Sequence, residues 1–344
     1  ISASKNKYIF LLSPVIKFKN SILFLIIHQS RAFRYPFLFL MPEISNFISG
    51  VKRFLSEAYN SEFTFSTELV ILENEYERKG SSRLMKRIDF ENGTVTGNIL
   101  GAALPMLVAQ ILNLLYNIVD RIYIARIPGC GTAALGAVGL CFPLIVILSA
   151  FANLFGSGGA PLFSIYRGKK ETEQANRIMN TSFTMVCASA IFLMLIGIVF
   201  SKPLLVLFGA SPNALTYARP YIVIYLLGTL PAMVSTGMNP FINAQGYSTT
   251  GMFSVTIGAV ANIILDPLFI FVFGLGVNGA AIATVISQIL SAVFVFYFLR
   301  KKAEIKVRLL HKNEFSSCLS IAKNIITLGT AGFIMQLTNC LVSI

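Results

Sequence analysis

Two acidic residues, Asp120 and Asp266, stand inside the long apolar segments of this sequence, and each is followed by an unusual neighbour, Arg121 and Pro267. A carboxylate at membrane depth costs about 2.5 to 3.5 kcal/mol even on lenient insertion scales, so it normally faces a protein interior or an aqueous cavity. Both have polar company at helical spacing. Asn113, Tyr116, Asn117 and Asp120 fall at i, i+3, i+4 and i+7, and Asn262 precedes Asp266 by one turn. Amide oxygens, a phenol and carboxylates suit a hard cation such as sodium, or a proton relay. If the two carboxylates meet in low dielectric, they do not both ionise easily without a compensating cation. A blander reading pairs Asp120 with Arg121 at the membrane interface and has Asp266 cap a kink at Pro267.

No other constellation competes. His28 and His311 lie outside the apolar segments, and no Ser/His/Asp or Cys/His grouping forms, so an enzyme is not expected. The five cysteines (Cys130, Cys141, Cys187, Cys318, Cys340) are odd in number and lack a CxxC pair, which indicates packing residues rather than disulfides or a zinc site. Gly274-Leu-Gly276-Val-Asn-Gly279 fits G-x-G-x-x-G, but the run before it is span-length and no acid lies some 20 residues later. It reads as a tight outer loop. Gly156-Ser-Gly-Gly159 lacks the Gly-Lys-Ser/Thr of a phosphate loop and reads as a close-packing or flexible helix segment. The only cofactor-like species expected is the coupling sodium ion or proton.

The elements that position these residues follow from composition. With 55% hydrophobic and 12% charged residues, a chain of 344 residues cannot build the polar surface of a soluble protein. The expected fold class is all-α, a polytopic membrane protein with a six-helix lobe and a truncated seventh helix. The spans run near 99–124, 134–163, 181–200, 221–238, 252–273, 279–299 and 325–344, each close to the ~20 residues that cross a bilayer. Pro105, Pro143, Pro231 and Pro267 fall inside them and predict kinks. Basic residues collect on alternate connections, Arg167 to Arg177 and Arg300 to Lys312, which makes those connections and the start of the first span cytoplasmic. This placement also accounts for much of the net charge of +13, so nucleic acid is not an expected partner, whereas membrane lipids are.

Residues 1–84 differ in kind: their apolar stretches are interrupted by Pro14, Lys17 and Lys19 or are too short to span, and they read as an atypical extension. Residues 85–312 form the six-helix lobe and 313–344 the start of a second lobe. A weak repeat supports that division: Leu100-Gly-Ala-Ala reappears as Leu328-Gly-Thr-Ala, and Gln110-Ile-Leu-Asn113 as Gln336-Leu-Thr-Asn339.

At these residues the sequence resembles the multidrug and toxic compound extrusion (MATE) family, looking closest to its bacterial DinF-like branch. The resemblance rests on Pro105 through Leu-Tyr116-Asn117-Ile-Val-Asp120, on Ala244-Gln-Gly246, on Asn262-Ile-Ile-Leu-Asp266-Pro267, and on Gly279-Ala-Ala-Ile-Ala-Thr284, across about residues 85–344. It implies two six-helix lobes around a cavity, of which this chain carries the first, in a bacterial inner membrane with the start of the transporter domain in the cytoplasm. It further implies export of organic cations or amphiphilic drugs in exchange for sodium ions or protons. The cation site it implies is Asp120, Asn262, Asp266 and Thr284, and Tyr116, Asn113 and Asn117 line the substrate cavity. The competing expectations are a lipid-linked oligosaccharide flippase of the same superfamily and a transporter fragment without activity.

Overall fold

The computed structural model describes Ile88 and residues 94–308 and 315–342, all within the unit Arg87–Ile344. The readings of residues 1–84 and of His311 fall outside these residues. The described residues are helical and contain no strand.

Eight helices follow one another: α1 Val95–Ala125, α2 Gly131–Gly168, α3 Thr172–Leu207, α4 Pro212–Leu227, α5 Thr229–Ala244, α6 Ser248–Pro267, α7 Gly276–Tyr297 and α8 Phe315–Val342. Among the described residues five helices are long and apolar enough to cross a membrane, and the bent pair α4 and α5, counted as one span, makes a sixth. Their ends are set by ordinary chemistry. Thr94 caps α1 by accepting a hydrogen bond from Gly97 N, and Ser211 caps α4 with Pro212 in the first turn. The stripe Leu104, Leu107, Ile111 and Leu114 on α1 is exposed, as are Phe192, Leu195 and Val199 on α3. Such apolar faces are stable against lipid and costly against water.

The fourth span departs from the sequence expectation. Instead of one helix kinked at Pro231, it is two helices bent by 57° at Gly228. Pro231 explains the position: it cannot donate to the carbonyl of Leu227, and its ring crowds that carbonyl, so the second helix starts afresh with Pro231 in its first turn. Pro267 acts similarly, and α6 continues past it as a π-turn, Leu268–Val272.

The helices hold together by close approach rather than by hydrophobic squeezing, which lipid does not supply. Gly156, Gly158 and Gly159 of α2 each meet a different partner. A methyl group on Gly156 would strike the carbonyl of Gly237 on α5, one on Gly158 would strike the backbone of Ile325 and Gly329 on α8, and one on Gly159 would strike Ser182 of α3 and Phe241 of α5. The close-packing reading of this motif is therefore correct, and α2 is the helix on which three others converge. Of the Gly274–Gly279 segment only Gly274, at φ +67, and Leu275 lie in the connection; α7 begins at Gly276, at φ +55, so the last four residues of the G-x-G-x-x-G pattern are already helix.

At the end of the bundle that carries the basic connections, the chain leaving α7 forms an extended strap. Ala303, Ile305 and Val307 are buried while Glu304, Lys306 and Arg308 face outward. Side chains stitch it down: Gln245 both donates to Ile305 O and accepts from Ile305 N at 2.9 Å, Asn176 donates to Lys306 O at 2.8 Å, and Asn180 accepts from Arg308 N at 2.8 Å. Arg167 donates to Ala244 O at 2.7 Å and pairs with Glu304 at 3.1 Å.

Candidate cation site

α1 packs chiefly on α6, and α6 on α7, so residues far apart in sequence share one buried locus. Asp266 and Asn262 lie on successive turns of α6 and are fully buried. Asn262 Nδ2 donates to Asp266 Oδ1 at 3.2 Å and reaches across to Thr284 Oγ1 on α7 at 3.3 Å. The Thr284 hydroxyl spends its own proton on Ala280 O at 2.9 Å, which leaves its oxygen an acceptor toward the site. From α1, Asp120 brings its side chain against that of Asp266. Its neighbour Arg121 does not take it: the guanidinium lies over the Phe142 ring, 5.6 Å from the centroid.

Three oxygens of this group, Asp120 Oδ1, Asp266 Oδ2 and Asn262 Oδ1, are sealed from solvent without a hydrogen-bond partner. A buried acceptor of this kind is expensive unless a donor or a cation satisfies it. Among the described residues no three His, Cys, Asp or Glu side chains cluster. The donor set is thus two carboxylates with neutral amide and hydroxyl oxygens, which fits a small hard cation or a shared proton better than a soft transition metal.

Tyrosines lie around the site. Tyr116 is one turn before Asp120 on the same face of α1, and Tyr221 and Tyr225 of α4 lie within electrostatic reach of Asp120. The α4 rings stack with centroids 6.4 Å apart, and Gln288, one turn beyond Thr284, donates from Nε2 to the Tyr225 hydroxyl at 3.0 Å. Of the residues singled out from the sequence, Asp120, Asp266, Asn262, Thr284 and Tyr116 are brought together. Asn113 and Asn117 sit on the same face of α1, about two turns and one turn nearer the start of the helix than Asp120. Asn117 is exposed, and its amide turns back to Asn113 O at 2.7 Å. Tyr221, Tyr225 and Gln288 were not singled out, although the i, i+4 spacings Tyr221 to Tyr225 and Thr284 to Gln288 were available signals.

Comparison with known proteins places this geometry in context. A MatE family model matches residues 105–268, which contain both aspartates and Asn262. The chain is 26% identical over 247 residues to the multidrug export protein MepA of Staphylococcus haemolyticus, covering 72% of this chain and 54% of that protein. It superposes on a crystal structure of a MATE protein in the bent conformation with a TM-score of 0.65 at 27% identity, covering 71% of this chain and 54% of the other. An outward-facing multidrug resistance MATE transporter of the MOP superfamily gives 0.64 at 26% identity, covering 75% and 55%. The chain therefore spans about half the length of the relatives it matches.

Proposed function

Because the chain belongs, through residues 105–268, to the MATE family, we propose that it supplies the cation-coupling lobe of a secondary transporter that exports organic cations or amphiphilic drugs. Sodium ions or protons drive the exchange, and the membrane is the bacterial inner membrane, with the basic connections in the cytoplasm. The observation that carries the reading is the pair Asp120 and Asp266, facing one another with sealed, unpartnered oxygens beside Asn262. A metal cation between them can take all three oxygens as ligands, and a proton can bridge the two carboxylates; its departure leaves two like charges in low dielectric, which favours a different packing of α1 against α6. Coupling follows if the substrate prefers the arrangement that the ion disfavours. Asp120, Asp266, Asn262 and Thr284 hold the ion, Tyr116 closes the site toward α4, and Asn113 and Asn117 offer amide contacts to a substrate arriving along α1.

The test is substrate efflux from energised vesicles under an imposed sodium or proton gradient, comparing the parent protein with Asp120→Asn and Asp266→Asn. Neutral amides remove the ion site while keeping side-chain shape, so export should stop with the protein still inserted. Gradient-driven export retained in both variants would exclude the assignment.

A further inference from the structure

The cation site is one end of a longer polar line that the proposed function does not use. Along α6, Thr250, Ser254, Gly258, Asn262 and Asp266 follow at intervals of four, a ridge that rises about 6 Å and winds by about 40° at each step, carrying a polar group or a gap at each turn. Thr250, Ser254, Asn262 and Asp266 are all buried. Neighbouring helices complete the line. Ser291 of α7 donates to Ser254 O at 2.6 Å, and Asn239 of α5 donates to Ser254 Oγ at 2.6 Å and to Gly251 O at 2.9 Å. Asn243 donates to Asn239 Oδ1 at 3.2 Å. The line ends near the start of α6, where Ser248 follows three residues after Gln245, whose side chain anchors the strap.

Two features set this line apart from helix-to-helix glue. First, sealed acceptors without partners recur along it: Asp266 Oδ2 and Asn262 Oδ1 at one end, Asn243 Oδ1 and Ser248 Oγ at the other. Polar groups that served only to join helices would pair off, as Ser291 and Ser254 do. Second, the one turn without a polar side chain is Gly258, where a methyl group would lie 2.5 Å from Ser291 Oγ. The missing side chain keeps that hydroxyl next to the path. Oxygens spaced a turn apart suit stepwise passage of a small hydrated cation, because each site binds weakly enough to release it.

Resting on the proposed cation site, we infer that the seam between α5, α6 and α7 is the route by which the coupling cation, sodium or hydronium, passes between Asp266 and the basic end of the bundle without entering the substrate cavity. Gly258 and Ser291 form its narrowest point, and the Gln245-anchored strap covers its mouth.

The experiment uses the full chain in sealed membrane vesicles with the basic end outward. The protein has 12 tyrosines and no tryptophan, so tyrosine emission reports on the site with tyrosines around it. Sodium is added to the outer side at fixed pH in one arm, and a pH step without sodium is applied in the other, which tells the two cations apart. Gly258→Val should slow arrival and departure of the cation by the same factor, about tenfold or more, with equilibrium affinity unchanged. Ser291→Ala, which only shortens a side chain, should slow both several-fold and carries the test if Gly258→Val does not fold. Parent rates in Ser291→Ala overturn the route, and so does an affinity that falls in step with the rate, because that makes Ser291 part of the site or of the scaffold. If the parent and Asp266→Asn respond alike to both cations, the site itself is wrong and the route falls with it.

Discussion

Asn262 Nδ2 donates at 3.2 Å to Asp266 Oδ1 one turn along α6, and the same nitrogen reaches Thr284 Oγ1 at 3.3 Å, so a single amide fixes two of the oxygens around the proposed ion. Its own Oδ1 is thereby turned to where a cation would sit, and it has no other partner. Replacing Asn262 by Leu removes an orienting donor and a ligand together. Sodium or proton affinity should fall by about 10- to 100-fold, the range seen when groups that orient ligands are lost. Titration of tyrosine emission against each cation measures it, and an affinity within twofold of the parent would rule out a ligand role for Asn262.

The Gln288 to Tyr225 hydrogen bond of 3.0 Å predicts a non-additive pair. Tyr225→Phe leaves the Gln288 amide without its acceptor and should destabilise the protein by about 1 to 3 kcal/mol. Adding Gln288→Met to that variant removes the stranded group, so the double variant should melt above the Tyr225→Phe single. Thermal unfolding in detergent decides it; strictly additive losses would show that the two side chains do not act together.

Glycines in α2 should divide sharply. Gly158→Ala puts a methyl group into the backbone of Ile325 and Gly329, and overpacking of this kind costs about 1 to 3 kcal/mol. Gly136→Ala and Gly139→Ala face open space and should be neutral or slightly stabilising through higher helix propensity. Equal melting temperatures for Gly158→Ala and Gly139→Ala would contradict the close approach of α2 and α8.

The orientation assigned from basic residues is tested by labelling. In a cysteine-free background, single cysteines at the exposed positions Lys170 and Lys302 should be shielded from an impermeant thiol reagent in intact cells, and one at Asn278 should react. Reaction at Lys170 from outside would reverse the bundle in the membrane.

The long helices were legible because a bilayer enforces length and apolarity, leaving few ways to read a segment such as 181–200. The two aspartates were legible for the same reason, since no other acidic residue falls inside the apolar segments read from the sequence. The break at Gly228 was not: Pro231 announces a disturbance, but its outcome, a kink or two separate helices, depends on whether neighbours such as Val285 and Gln288 crowd the turn. Tyr221 and Tyr225 were hidden because an aromatic in an apolar run looks like filler until the helix opposite is known. The strap was read as a basic connection. Its alternation of Ala303, Ile305 and Val307 with charged residues has the period of a strand, yet its backbone pairs with amide side chains from α3 and from the end of α5, which no local pattern can announce.

The convergence of helices on Gly156, Gly158 and Gly159 has a mechanical consequence. Packed helices usually interlock, side chains of one seated in the grooves of the other, so that sliding requires every knob to leave its hole. Where backbone meets backbone, as between Gly156 and Gly237 or Gly158 and Gly329, there are no teeth to disengage. At these two contacts α2 thus offers a smooth bearing along which α5 and α8 can shift by small amounts, while the rings seated beside them, Phe241 over Gly159 and Phe333 against Phe151, set how far each can go.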